Sequence, residues 1–176
     1  SGTTLDDELL YGMVVEVLEE AADEEEGEAV PWVSVRTPYR YTGYCKKEDL
    51  ILDQARVATW ETGELCVVMQ GFADVLDEPR VQGVGLESLA RGGRLLAHRE
   101  EATEEAGWVC VELTDGRRGY TKEKFLGPCY GAPFTADEDA FRKRLVEMAK
   151  GYLGAQYRWG GKSTLGIDCS GLTSMC

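Results

Sequence analysis

One cysteine in this sequence is set up for chemistry by its neighbours. Cys169 follows a glycine-rich approach holding Tyr157, Trp159, Gly160, Gly161, Ser163 and Gly166, and it is flanked by Asp168 on one side and by Ser170 and Gly171 on the other. Asp168 is a good helix N-cap, and Leu172 with Met175 begins an apolar spacing of helical period, so Cys169 is expected in the first turn of a helix. There the unpaired backbone N–H groups and the positive end of the helix dipole favour the thiolate, the form that attacks a carbonyl. A carboxylate beside a thiolate opposes that activation, so physics alone leaves Asp168 only its capping role. The other cysteines, Cys45, Cys66, Cys110, Cys129 and Cys176, form no CxxC pair, which argues against a zinc knuckle. Cys110 lies in a strand-like run and is expected to be a buried small hydrophobe, and Cys45 reads the same way. A disulfide framework is not needed in a chain of this size. A thiol nucleophile also needs a base. The only histidine, His98, falls at a strand position well upstream and is expected to be structural.

Together, the tyrosine, tryptophan and glycines of residues 157–166 and the Asp168–Gly171 run resemble the nucleophile segment of the NlpC family of cell-wall cysteine peptidases. Those enzymes are papain-like and cut peptidoglycan stem peptides. The resemblance implies Cys169 as nucleophile, with its own backbone N–H and the Tyr157 hydroxyl holding the oxyanion. It implies Trp159 as a wall of the cleft and Ser170 as a substrate contact. It gives Asp168 the free amine of the stem peptide's first residue, and the plain cap remains the alternative. No metal or organic cofactor is implied. The family places its catalytic histidine well downstream of the cysteine, and only residues 170–176 follow Cys169 here. The 176-residue chain by itself is therefore expected to lack peptidase activity.

The elements that must position this segment begin with a helix. Phe141, Leu145, Met148 and Tyr152 recur at helical intervals, Thr135 and Glu138 have capping-box spacing, and Gly151 and Gly154 end the run. Residues 127–133, rich in Gly and Pro, read as a linker before it. Upstream the chain reads as β. Residues 10–18 form a strand, residues 19–28 an acidic hairpin tip, residues 32–36 an alternating strand, residues 39–44 a turn into another strand, and residues 47–51 close the unit. The pattern then returns. Trp32 and Trp108, Gly43 and Gly119, and Leu50 and Leu126 are each separated by 76 positions (108 − 32, 119 − 43, 126 − 50). Between the copies, residues 56–62 are a link or the start of the second unit, and residues 66–69 are a strand. Residues 87–91 with Gly92 and Gly93 read as a helical turn, and Leu65 and Val75 are expected in the second core. Each copy resembles the bacterial SH3-like domain, and two such modules ahead of the cysteine segment resemble the γ-D-glutamyl–L-diamino acid endopeptidase branch.

The fold expected is therefore mainly β with a C-terminal α segment: SH3-like barrels over 1–53 and 54–127, then the first part of a papain-like α+β domain over 128–176. The branch resemblance implies cleavage of the γ-D-Glu–diamino acid bond in stem peptides with a free N-terminal L-Ala. It also implies that the first module closes one end of the cleft with an acidic residue and a tyrosine. Glu8 and Tyr41 match best, with Asp7, Tyr39 or Tyr44 as alternatives. A net charge of −13 disfavours nucleic acid and anionic membrane surfaces as partners. No apolar run is long enough to span a bilayer, and the Ser1–Gly2 start leaves export undecided. Two other readings are kept. One is a non-catalytic wall-peptide or partner-binding module built on the barrels. The other is an amidase or acyltransferase on the same scaffold.

Overall fold

The computed structural model describes residues 5–20, 32–101, 103, 105–129 and 137–176. These residues are mainly β, with three α-helices and antiparallel sheets. The first sheet is a meander of β1 (Glu16–Glu20), β2 (Trp32–Arg36) and β3 (Thr42–Lys46). Val33 and Val35 alternate inward along β2, as a half-buried strand requires. A 3-10 turn, Lys47–Asp49, comes next. Residues 10–15 do not extend β1 as the sequence predicted. Met13 N–H instead bonds Leu10 O, and Gly12 turns the chain at φ 73°. A side chain at Gly12 would collide with Trp60 and the Arg94 carbonyl, so the turn is dictated by close packing.

Helix α1 (Gln54–Thr62) starts at Asp53, whose carboxylate accepts from the N–H groups of Ala55 and Arg56. It joins the two β units. Trp60 is buried and donates its indole N–H to Gly12 O at 2.9 Å. Arg56 pairs with Glu112 at 2.7 Å and donates to the Leu113 and Thr114 carbonyls.

The second sheet has seven strands in the order β10-β4-β7-β8-β9-β5-β6. They are β4 (Leu65–Val68), β5 (Phe72–Leu76), β6 (Gly85–Ala90), β7 (Arg94–His98), β8 (Trp108–Glu112), β9 (Arg118–Lys122) and β10 (Leu126–Pro128). The repeat seen in the sequence is a repeat of register. Trp32 pairs Lys46 and Val35 pairs Gly43 in the first sheet, and Trp108 pairs Lys122 and Val111 pairs Gly119 in the second. Each hairpin runs into a 3-10 turn, the second at Glu123–Phe125.

Two readings of this region are corrected. Residues 87–91 are not a helical turn. Residues 87–90 belong to β6, where Leu89 is buried opposite Ala73, and Arg91 with Gly92 and Gly93 forms the tight turn into β7. Leu65 is only half-buried, because the period-2 alternation of β4 sends Cys66 and Val68 into the core instead. Val75 and Cys110 are buried as expected, and Cys45 is half-buried.

Helix α2 (Glu138–Lys150) is capped by Asp137, which accepts from the N–H groups of Asp139 and Ala140. Thr135 lies outside the described residues, as do most of the acidic hairpin tip and much of the 127–133 linker. No residue of α2 is fully buried; Leu145, Met148 and Ala149 are half-buried on the side towards the rest of the chain, while Phe141 and Val146 are exposed. Tyr152 sits past the helix end and is buried against Arg91, whose guanidinium lies 5.1 Å from the ring centre. The chain then forms a small hairpin, β11 (Lys162–Ser163) and β12 (Gly166–Ile167), and enters α3 (Cys169–Met175).

Candidate functional site

The cysteine segment is packed through glycine backbones. Tyr157 bridges to Ile167, and Gly161 N–H closes a turn onto Arg158 O. A Cβ on Gly161 would stand 2.2 Å from the Gly166 carbonyl, and one on Gly171 would stand 2.1 Å from the Gly161 carbonyl. The first turn of α3 thus rests directly on the loop that precedes it, and only glycines permit that approach.

Asp168 ties the two together. One carboxylate oxygen accepts from Gly171 N–H and from the Ser170 hydroxyl, both at 2.7 Å, and the other accepts from Gly160 N–H at 2.8 Å. The backbone bond from Gly171, then Ser170 and Gly160, hold its pKa down to about 2. The predicted cap is present, and it is also the brace of the loop. Asp168 is therefore anionic across the physiological range, as an amine contact would need.

Cys169 is exposed at the first position of α3, at the protein surface rather than in an apolar interior. Tyr157 and Trp159 present their rings to solvent at 67% and 64% exposure, and Ser170 is also exposed. Thiol, phenol and indole thus come from one short loop-and-helix unit.

The first β unit reaches this same loop. Glu8 accepts from the N–H groups of Lys162 and Ser163 and from the Ser163 hydroxyl. Lys162 is nearly buried, and its ammonium pairs with Asp7 at 2.5 Å and with the Tyr39 hydroxyl at 2.6 Å. Burial opposes the charge of Lys162, but Asp7 and Tyr39 outweigh it and raise its pKa. Burial, then the bond to Asp7, raises the Tyr39 pKa. Tyr41 stands apart. Its side chain is 43% exposed, and its backbone bonds only Thr37 among the described contacts. The tyrosine that meets the cysteine segment is Tyr39. The second unit adds a hydrogen bond from the Thr164 hydroxyl to Gly71 O at 2.6 Å, and Gly92 lies against Met175 of α3.

Sequence reasoning missed Lys162 altogether. A lysine is normally solvated, and its partners lie 123 and more positions away. His98 serves the second sheet as expected, with its ring nitrogens against Glu100 and Glu112. His98, Glu100 and Glu101 bring three ligand atoms within 4.8 Å, but both ring nitrogens of His98 already lie within hydrogen-bond distance of a carboxylate, Glu100 at 3.3 Å and Glu112 at 3.2 Å. A cleft of about 630 Å³ opens between the first sheet, residues 5–15 and α1. Its walls include Trp32, Val57 and Trp60 but not Cys169, so it is separate from the thiol. No helix of the described residues is long and apolar enough to cross a membrane.

Known proteins share this architecture. The chain has the fold of an NlpC/P60 family protein of Bacillus cereus. The TM-score is 0.69 over 96% of this chain and 52% of that one, at 23% sequence identity. In sequence it is 43% identical over 169 residues to Dipeptidyl-peptidase 6 of Lysinibacillus sphaericus. That match takes in 96% of this chain and 59% of the relative, so the chain spans somewhat more than half of the relative's length. No protein-family model matches.

Proposed function

We propose that this chain supplies the nucleophile and cleft of a cysteine peptidase acting on cell-wall peptides. The observation that carries the reading is the exposed Cys169 at the head of α3, braced through Asp168 onto a loop that the first β unit grips. The 43% identity to a dipeptidyl-peptidase and the fold likeness to an NlpC/P60 protein support it. Residues 1–53 and 54–127 are read as two SH3-like modules, and residues 128–176 as the first part of the catalytic domain. The repeated hairpin register supports the modules.

In this reading the substrate is a stem peptide with a free N-terminal L-Ala, cut between γ-D-Glu and the diamino acid. The Cys169 thiolate adds to the γ-carbonyl of D-Glu. The oxyanion forms against Cys169 N–H and the Tyr157 hydroxyl. The C–N bond breaks, the diamino acid leaves as a protonated amine, and water hydrolyses the thioester to release L-Ala-γ-D-Glu. Asp168 faces the L-Ala ammonium, Trp159 walls the cleft, and Ser170 contacts the peptide. Glu8, and Tyr39 or Tyr41, belong to the end that the first module closes. The proton is carried by a histidine other than His98, which is held in the second sheet.

The test uses the intact protein with L-Ala-γ-D-Glu-diaminopimelate. Cys169→Ala is expected to lower kcat by at least about a thousandfold. Equal cleavage by wild type and variant overturns the proposal.

A further inference from the structure

The acidic residue at the edge of the first unit bonds the loop that precedes the nucleophile. Residues 5–8 run against the loop before the nucleophile. Gly160, at φ 73°, leaves room for them, because a Cβ there would stand 2.8 Å from the Asp6 carbonyl carbon and 2.9 Å from Leu5 O. Two adjacent acids then divide the loop between them. Asp7 takes the side chain of Lys162, and Glu8 takes the backbone. Glu8 accepts from Lys162 N–H at 2.5 Å, Ser163 N–H at 2.9 Å and Ser163 Oγ at 2.8 Å. Those N–H groups belong to the loop whose Gly160 donates to Asp168, and Asp168 caps the helix that starts at Cys169.

We infer that Glu8 is a positioning residue that clamps the 160–163 loop and, through Asp168, sets the position of Cys169. Three of the roughly four acceptor sites of the Glu8 carboxylate are taken by the loop, on both of its oxygens, so the carboxylate is held against the loop before any peptide arrives. The inference rests on Cys169 being the nucleophile. Its direct readout is independent of cleavage.

Hydrogen exchange and the iodoacetamide alkylation rate of Cys169 are measured in the full chain for wild type, Glu8→Ala and Glu8→Gln. Glu8→Ala should exchange the Lys162 and Ser163 amides at least about tenfold faster and alkylate about threefold more slowly, as expected for bonds to a charged acceptor. Glu8→Gln keeps a carbonyl oxygen for the two N–H groups and should restore both to within about threefold of wild type. Val75 and Val111 amides report whether the second sheet stays folded. Unchanged exchange in Glu8→Ala, or Glu8→Gln as damaging as Glu8→Ala, overturns the clamp. If Glu8→Ala does not fold, Ser163→Ala removes the hydroxyl's bond to Glu8, together with the Leu165 N–H bond to that hydroxyl, and leaves the carboxylate in place. It must still speed exchange at Ser163, and no change there overturns the inference equally. None of these readouts involves peptide cleavage, so a loss of the clamp and a loss of the peptidase reading are told apart.

Discussion

At Asp168, two oxygens hold three donors from both sides of the nucleophile. Its folded pKa of about 2 lies below the ordinary aspartate value of about 3.9. The stability it contributes is therefore fully present above about pH 4 and is lost as pH falls towards about 2. Asn is also a good cap but does not titrate there. The Tm difference between wild type and Asp168→Asn should shrink steadily from pH 5 to pH 2 in thermal melts. A difference that stays constant would show that the carboxylate charge is not what braces the loop. Gly171 gives a second test at the same scale. Helix propensity alone would favour Ala there by about 1 kcal/mol. The clash of a Cβ with the Gly161 carbonyl, at 2.1 Å, should win, because a backbone atom cannot swing aside. Gly171→Ala is expected to destabilise by about 1–3 kcal/mol in denaturant melts. A stabilised variant would refute the packing described.

Among the elements, α1 does most to join the first β unit to the second. Its capping aspartate and its Arg56 and Trp60 contacts fix it between Gly12 and the β8–β9 hairpin. Trp60→Ala should cost about 3–5 kcal/mol by opening a cavity. Trp60→Phe should cost only about 1 kcal/mol, since it mainly removes the bond to Gly12 O. Urea midpoints check both, and equal losses would mean that the ring area matters little. Helix α2 is the opposite case. It is well capped and amphipathic, yet no residue on it is buried. Its apolar periodicity was plain in the sequence, but periodicity marks which face is apolar and not how deeply it is covered, and Leu145 and Met148 on that face are half-buried.

For the whole molecule, the first β unit touches the nucleophile loop through Asp7, Glu8 and Tyr39, and the second through Gly71. The proposed cleft is thus shaped by segments far apart in the chain, and the proposed preference for a free L-Ala amine belongs to this scale. Acetylating that amine should lower kcat/KM of the intact protein by about 10- to 100-fold, the worth of one charge-assisted bond at an anionic Asp168. Peptides cleaved equally well with and without the acetyl group would remove the amine from the recognition scheme.

The sequence by itself determined what is local or repeated. The glycines, Asp168 and Cys169 act within one short window, so their cap, their turn and their exposed thiol follow from residue type and spacing. The two hairpins share a register because they share an alternation, at the same 76-position interval. Tertiary structure alone decided the contacts made across the chain. Lys162 is buried because Asp7 and Tyr39 come to meet it, and Tyr39 rather than Tyr41 reaches the loop because of how the β2–β3 turn faces residues 160–163. Residues 87–90 became a strand because β5 lies alongside, although their own residues also suit a helical turn. Glu8 met Ser163 over 155 positions, and no spacing rule in a linear chain carries information over that distance. Such pairs exist only after the backbone has folded and buried polar groups must find partners.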